Sequence, residues 1–195
     1  MNQIEPKSGP TYEESARGVM RTYTGGKMSL LAPNVDDVRI EDIAHGLSQL
    51  CRFTGQCNEL YTVAEHSVRV AKDAKERHGL NPHGVLAALL HDAAEAYLGD
   101  VARPVKEAMR YISQDSGQSA YDVLEGRMER VIDQCFGIER HADLRAAIKE
   151  SDNHVYCEEV EQYMNLTSSQ PMTPNEAADA FIEMFSNLEE EIQGA

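Results

Sequence analysis

The chain has 195 residues, with 33 Asp and Glu against 18 Lys and Arg, a formal net charge of −15. One domain of this length can bury a sizeable core, and so acidic a chain argues against a nucleic-acid polymer or an anionic membrane, which are bound mainly through cations. A small anionic substrate stays open, since it needs only a local positive patch.

The uninterrupted apolar run from Val85 to Leu90 is far short of the roughly 20 residues of a membrane span. The N-terminus, with Glu5, Pro6, Lys7 and Gly9, lacks the apolar core of a secretory signal. The four cysteines Cys51, Cys57, Cys135 and Cys157 form no CxxC pair, so reduced thiols in a cytoplasmic protein are expected rather than a zinc knuckle or disulfide framework.

Residues 1–37 are rich in Gly, Pro, Ser and Thr and read as an N-terminal arm; residues 38–195 read as one helical domain. Within the arm, Gly25-Gly26 separates short β-prone runs between Met20 and Met28. That pattern suits either a small hairpin or an ordered irregular segment. Ile40, Ile43, Ala44, Leu47, Leu50 and Cys51 recur at helical spacing and predict a helix over 40–52. Thr62-Val63-Ala64-Glu65 is a capping-box pattern. The helix it opens carries Val63, His66, Val70 and Ala74 on one face and ends near Gly79. Asn81-Pro82 restarts a helix that is expected to run through Leu90 to Leu98, stopped by Gly99. A loop is expected over residues 112–118. A stripe of Val123, Leu124, Met128, Val131, Ile132 and Cys135 then closes at Gly137. A long helix is expected from Ala142 to Met164. A loop through Pro171 leads to a second capping box at Thr173-Pro174-Asn175-Glu176 and a final stripe of Ala178, Phe181, Phe185, Leu188 and Ile192.

Polar residues interrupt these apolar faces. His66 lies between Val63 and Val70, His91-Asp92 directly follows the apolar run, and Asp152 falls among Ile148, Val155 and Tyr156. Singly, each has an ordinary explanation as a hydrogen-bonded histidine, a cap or an ion-pair partner. Together they place two histidines and two aspartates on inward faces, where an unpaired charge is costly. A shared divalent cation with positions left for water satisfies all four.

The order His, His-Asp, Asp on helices resembles the HD superfamily of metal-dependent phosphohydrolases. The stretches that carry the likeness are Thr62 to Ala71, Ala88 to Asp100 and Ser151-Asp152-Asn153. Glu95 three residues after the pair and Asp100 eight after it resemble the bacterial 5′-deoxynucleotidases and their phage-encoded relatives, some of which convert dATP to deoxyadenosine and triphosphate. The resemblance spans roughly residues 40–165, and Thr22-Tyr23-Thr24-Gly25 is similar to the arm of phage and prophage members. It implies an all-α HD-domain bundle and one divalent metal ion per site (Co²⁺, Mn²⁺, Zn²⁺ or Mg²⁺) held by His66, His91, Asp92 and Asp152. One metal is expected because, of the two extra histidines of two-metal members, only His141 lies between Asp92 and Asp152. His45, His78, His83 and His154 are given no role.

Glu95 is expected on the helix face of His91 and Asp92, either as a proton shuttle or as an orienting carboxylate. Asp100 either lies in the active site, as the family implies, or caps the Pro104 segment. Arg52, 14 residues before His66, either contacts phosphate, as the resemblance implies, or is a cation at a helix C-terminus. Phe53 stands where relatives often carry Trp. Lys27, Arg69, Arg103 and Lys106 are further candidates for holding phosphates. The expected function is hydrolysis of dATP to deoxyadenosine and triphosphate. 5′-Deoxymononucleotidase activity is the alternative, and a nucleotide-sensing module is less expected. The resemblance also implies a homo-oligomer in a bacterial or phage-infected cytoplasm.

Overall fold

A hairpin turning at Gly25 precedes the helices. In the computed structural model, which describes residues 17–113, 118–164 and 170–194, β1 (Val19–Arg21) pairs antiparallel with β2 (Lys27–Ser29). The register sets Val19 against Ser29, Met20 against Met28 and Arg21 against Lys27. Gly25 sits at φ +89°, a conformation that strains any side chain. Met28 is fully buried and pins the hairpin to the core. At the tip, the Thr24 N–H and hydroxyl donate to the Asp42 carboxylate at 2.7 and 3.1 Å. The hairpin reading therefore holds for this part of the arm, while residues 1–16 lie outside the described residues.

Eight α-helices follow among the described residues: α1 (Ile40–Ser48), α2 (Val63–His78), α3 (Pro82–Leu89), α4 (Glu95–Leu98), α5 (Arg103–Ile112), α6 (Ala120–Cys135), α7 (Ala142–Glu159) and α8 (Pro174–Gln193). A π turn, Val160–Met164, prolongs α7 and matches the expected end at Met164. α2 lies at the centre and packs on α3, α7 and α8; α8 also covers α1 and α3. Ile43, Leu47, Val63, Leu89, Met128 and Phe181 are among the side chains fully shielded there. Among the described residues, no helix is long and apolar enough to cross a membrane.

The local signals act largely as their chemistry requires. Asn81 caps α3 through Gly84 N–H, with Pro82 at the first position, and Gly79 ends α2 at φ +60°. Thr173 and Glu176 form the reciprocal box that opens α8. The Thr62 box is only half formed. Its hydroxyl accepts from Glu65 N–H, but the Glu65 carboxylate accepts instead from Met172 N–H at 2.8 Å, tying α2 to the segment before α8.

Four expectations are corrected. The helix predicted over 40–52 ends at Ser48, and Cys51 is already extended, bridged to Thr62. The helix predicted over 82–98 breaks after Leu89 into a turn and then α4. Val123, expected on the buried stripe of α6, is 40% exposed, while Met128 and Ile132 of that stripe are buried. In α8 the buried alanine is Ala177, not Ala178. Of the two expected loops, residues 114–117 and 165–169 lie outside the described residues.

Gly46 allows α1 to approach α4 closely. A Cβ there would stand 2.9 Å from both the Cβ and the carbonyl oxygen of Ala96. Backbone cannot give way as a flexible side-chain end does, so Gly46→Ala is expected to destabilise by about 1–3 kcal/mol, the usual penalty of overpacking. Urea unfolding of the two proteins checks this.

Candidate metal centre

The centre forms where α3 breaks. A helix end leaves its last carbonyls without partners, and here two side chains supply them. The His91 ring donates from Nδ1 to Ala88 O at 2.8 Å. Arg140, paired with Asp133 at 2.9 Å, donates to Ala87 O and Leu90 O at 3.0 and 3.1 Å. His91, Asp92 and Glu95 therefore do not share one continuous helix, contrary to expectation. His91 and Asp92 project from the turn, and Glu95 opens α4.

His66 comes from the buried face of α2 and is fully shielded. Its Nδ1 lies 2.7 Å from Glu159 Oε1. A carboxylate accepts there, so Nδ1 carries the proton, and the Ala88 carbonyl imposes the same tautomer on His91. In the neutral rings both Nε2 atoms then present lone pairs, and both are buried with no hydrogen-bond partner. They converge on Asp92, whose Oδ2 is 3.1 Å from His91 Nε2 and 3.6 Å from His66 Nε2. Ligands about 2.1 Å from one cation stand about 3.0 Å apart at right angles and about 3.4 Å apart at tetrahedral angles. The donor set and its spacing therefore fit a divalent cation, and the His66–His91–Asp92 group can hold one.

Asp152 lies at the edge of this group. Its Oδ1 is 3.4 Å from His66 Nε2, while its Oδ2 accepts from Lys149 at 2.7 Å. Its approach to His66 is as close as that of Asp92, but it does not join the group in which His66, His91 and Asp92 all face one another. The electrostatics favour positive charge here. Burial and Arg52 oppose protonation of His66, yet Glu159 and Asp152 outweigh them and raise its pKa. Burial likewise opposes ionisation of Asp92, but His91, His66 and Arg52 hold it well below the usual carboxylate range.

Glu95 is buried, and its Oε2 has no hydrogen-bond partner; Oε1 faces Lys106 at 3.5 Å. Burial, reinforced by the charges of Asp92 and Asp100, pushes its pKa up to about 10. Asp100 is also raised, by burial first, with Arg52 and Lys106 opposing. It is not the cap of α5, whose N-cap is Ala102 with no side-chain hydrogen bond. Lys106 bridges Glu95 and Glu125, the latter at 2.7 Å, and of the four candidate cations it is the one tied to Glu95.

Arg52 does not sit at a helix end. It lies in a 3₁₀ turn (Arg52–Gly55) after the extended Cys51, so the helix-dipole explanation falls away. Its Nε donates to Glu159 Oε2 at 3.2 Å, and its Nη1 is 3.9 Å from Asp92 Oδ2. The Phe53 ring lies beside the guanidinium, 5.5 Å to the centroid. Of the other histidines, His45 stacks on Tyr23, His141 caps α7 and His154 lies 2.8 Å from Asp73.

Glu159 and Arg140 were not legible as site residues. Glu159 did leave one trace: it falls seven residues after Asp152, two helical turns on the same face. Arg140 left none.

No family model matches the sequence. Over 141 residues the chain is 38% identical to an uncharacterized protein of Rhodobacter capsulatus, covering 70% of this chain and 68% of that protein. Over 185 residues it is 27% identical to the uncharacterized protein YfdR of Escherichia coli, covering 88% of this chain and 96% of that one.

Proposed function

The chain belongs to the same protein family as the uncharacterized Rhodobacter capsulatus protein, and we propose that it is a divalent-metal-dependent phosphohydrolase of deoxynucleotides on an HD-type helical domain. The observation that carries this reading is the pair of buried, unpartnered Nε2 atoms of His66 and His91 facing the Asp92 carboxylate. His66, His91 and Asp92 would hold the cation, with Asp152 beside them. A divalent cation in such a centre polarises a phosphoryl oxygen and lowers the pKa of a coordinated water.

The chain's own residues divide the rest of the work. Arg52 presents its Nη groups on the Asp92 side and binds phosphate oxygens as a planar donor pair. Glu95, whose carboxyl burial and the charges of Asp92 and Asp100 push up in the metal-free protein, is the proton donor to the leaving oxygen. Lys106 holds that carboxyl in place from the α5 side. Asp100 feels the charges of Arg52, Asp92 and Lys106, and the resemblance gives it the water or the sugar to orient.

The resemblance puts dATP first as substrate, with deoxyadenosine and triphosphate as products. One observation favours the second reading, a 5′-deoxymononucleotidase. Arg52, Lys106 and Lys149 are each already paired with carboxylates: Arg52 with Glu159, Lys106 with Glu95 and Glu125, and Lys149 with Asp152. The positive charge these three offer a long polyphosphate is thereby partly neutralised. Purified protein with Co²⁺ or Mn²⁺, given dATP and dAMP separately, decides between them. Triphosphate release supports the first reading, and orthophosphate from dAMP alone supports the second. Failure to turn over any deoxynucleotide overturns both.

A further inference from the structure

Glu159 is a fully buried carboxylate at the end of α7. A charge in that position requires several good partners, and it has three. Oε1 accepts from His66 Nδ1 at 2.7 Å and from the Tyr61 hydroxyl at 2.6 Å; Oε2 accepts from Arg52 Nε at 3.2 Å. Tyr61 is itself fully buried and stacks on Tyr163 at 4.2 Å between centroids, which fixes its hydroxyl.

We propose that Glu159 is a positioning residue that locks the candidate metal ligand His66 and the candidate phosphate ligand Arg52 into one unit. The inference rests on the function proposed above. One oxygen sets the His66 tautomer, so that its Nε2 lone pair and not an N–H faces Asp92 and Asp152. The other occupies Arg52 Nε, so that the Nη edge of the guanidinium is the part turned to a phosphate. Nη1 already borders Asp92 at 3.9 Å, so a phosphate held there lies against the metal centre.

The backbone around Arg52 agrees with such a lock. Phe53 and Thr54, neither of them glycine, adopt φ +58° and +55°, a strain that persists only when the surroundings enforce it. The Arg52 N–H donates to Tyr61 O at 2.9 Å, and Cys51 bridges Thr62 at the start of α2. Arg52 is thus anchored by its main chain to the segment that carries Tyr61, and by its side chain to Glu159.

The test uses Co²⁺ alone and then orthophosphate, both by titration calorimetry on the full chain, with the visible Co²⁺ spectrum as a geometric readout. Glu159→Gln is expected to weaken Co²⁺ binding about 10–100-fold, as loss of a carboxylate behind a ligating histidine does, and to change the spectrum. It is also expected to weaken orthophosphate binding to the Co²⁺-saturated protein. Tyr61→Phe removes only one neutral donor and should change either affinity by less than about 5-fold. Arg52→Ala should lose orthophosphate and retain Co²⁺. Folded Glu159→Gln with unchanged Co²⁺ affinity, or with weakened Co²⁺ affinity but wild-type orthophosphate binding once saturated with Co²⁺, overturns the proposal. If Glu159→Gln does not fold, Glu159→Asp replaces it, keeping the charge but falling one methylene short; wild-type affinities there overturn the proposal equally. A wild-type protein that binds no Co²⁺ overturns the proposed function itself, a result distinct from a wild type that binds and a variant that matches it.

Discussion

His91→Ala is expected to abolish stoichiometric divalent-metal binding and to lower turnover by about 10³-fold or more. A metal centre contributes several kcal/mol of transition-state stabilisation, and each 1.36 kcal/mol is a factor of ten. The variant removes one of the two imidazole nitrogens that face Asp92. Its folding should survive. The lost bond to Ala88 O is a single hydrogen bond worth about 1 kcal/mol, and Arg140 still serves Ala87 O and Leu90 O. A thermal melt separates metal loss from misfolding. The wild type should gain stability when metal is added, about 2.7 kcal/mol at a free concentration 100 times Kd. His91→Ala should melt near the metal-free wild type and show no such gain. Metal content near one per chain in the variant, with turnover preserved, would remove His91 from the centre.

The second large effect concerns Glu95. Glu95→Gln is expected to lower turnover by about 10²–10⁴-fold, the usual contribution of a positioned proton donor or acceptor, while leaving metal binding in place. A mere orienting role would instead lower metal affinity, so calorimetry with Mn²⁺ distinguishes the two. The same variant has a pH signature in chelator. In the folded protein, burial first, then Asp92 and Asp100, push the Glu95 carboxyl up to about 10, against an ordinary value of 4.5. Above pH 4.5 the unfolded chain releases this proton while the folded chain keeps it. The folded state then binds more protons, so stability falls as pH rises from about 4.5 towards 10. Glutamine does not ionise, so this loss should be absent from Glu95→Gln, and its advantage over wild type should grow with pH. Unfolding curves at pH 5 and pH 8 measure it, and parallel pH dependence in the two proteins would show that Glu95 ionises freely.

Much of the local structure was readable because its causes are local. The caps at Asn81 and Thr173, the left-handed stop at Gly79 and the Gly25 turn each depend on residues within a few positions. The stripes on α2 and α8 are periodic for the same reason. His66, His91 and Asp92 stood out because they are polar residues set in apolar faces, and the fold brings those three together. Asp152 stood out too, but the structure leaves it at the edge, with one oxygen given to Lys149.

The errors have a common origin. The run from Val85 to Leu98 is helical by periodicity, and nothing within it announces a break. The carbonyls at the break are served by Arg140, whose bond to Ala87 O spans 53 residues. The early end of α1 depends on Cys51 and Arg52 pairing with Thr62 and Tyr61.

By itself, then, the sequence determined a mostly helical chain, its caps and turns, an N-terminal hairpin as one of two readings, and three of the residues that meet at the centre. Hydrogen bonds between near neighbours and the 3.6-residue period encode these directly. Only the tertiary structure decided where α3 stops, that Arg52 leaves its helix, and that Glu159 joins His66 to Arg52 across separations of 93 and 107 residues. A buried carboxylate must be paired, but the identity of its partners depends on which helices pack together, and no local pattern carries that information.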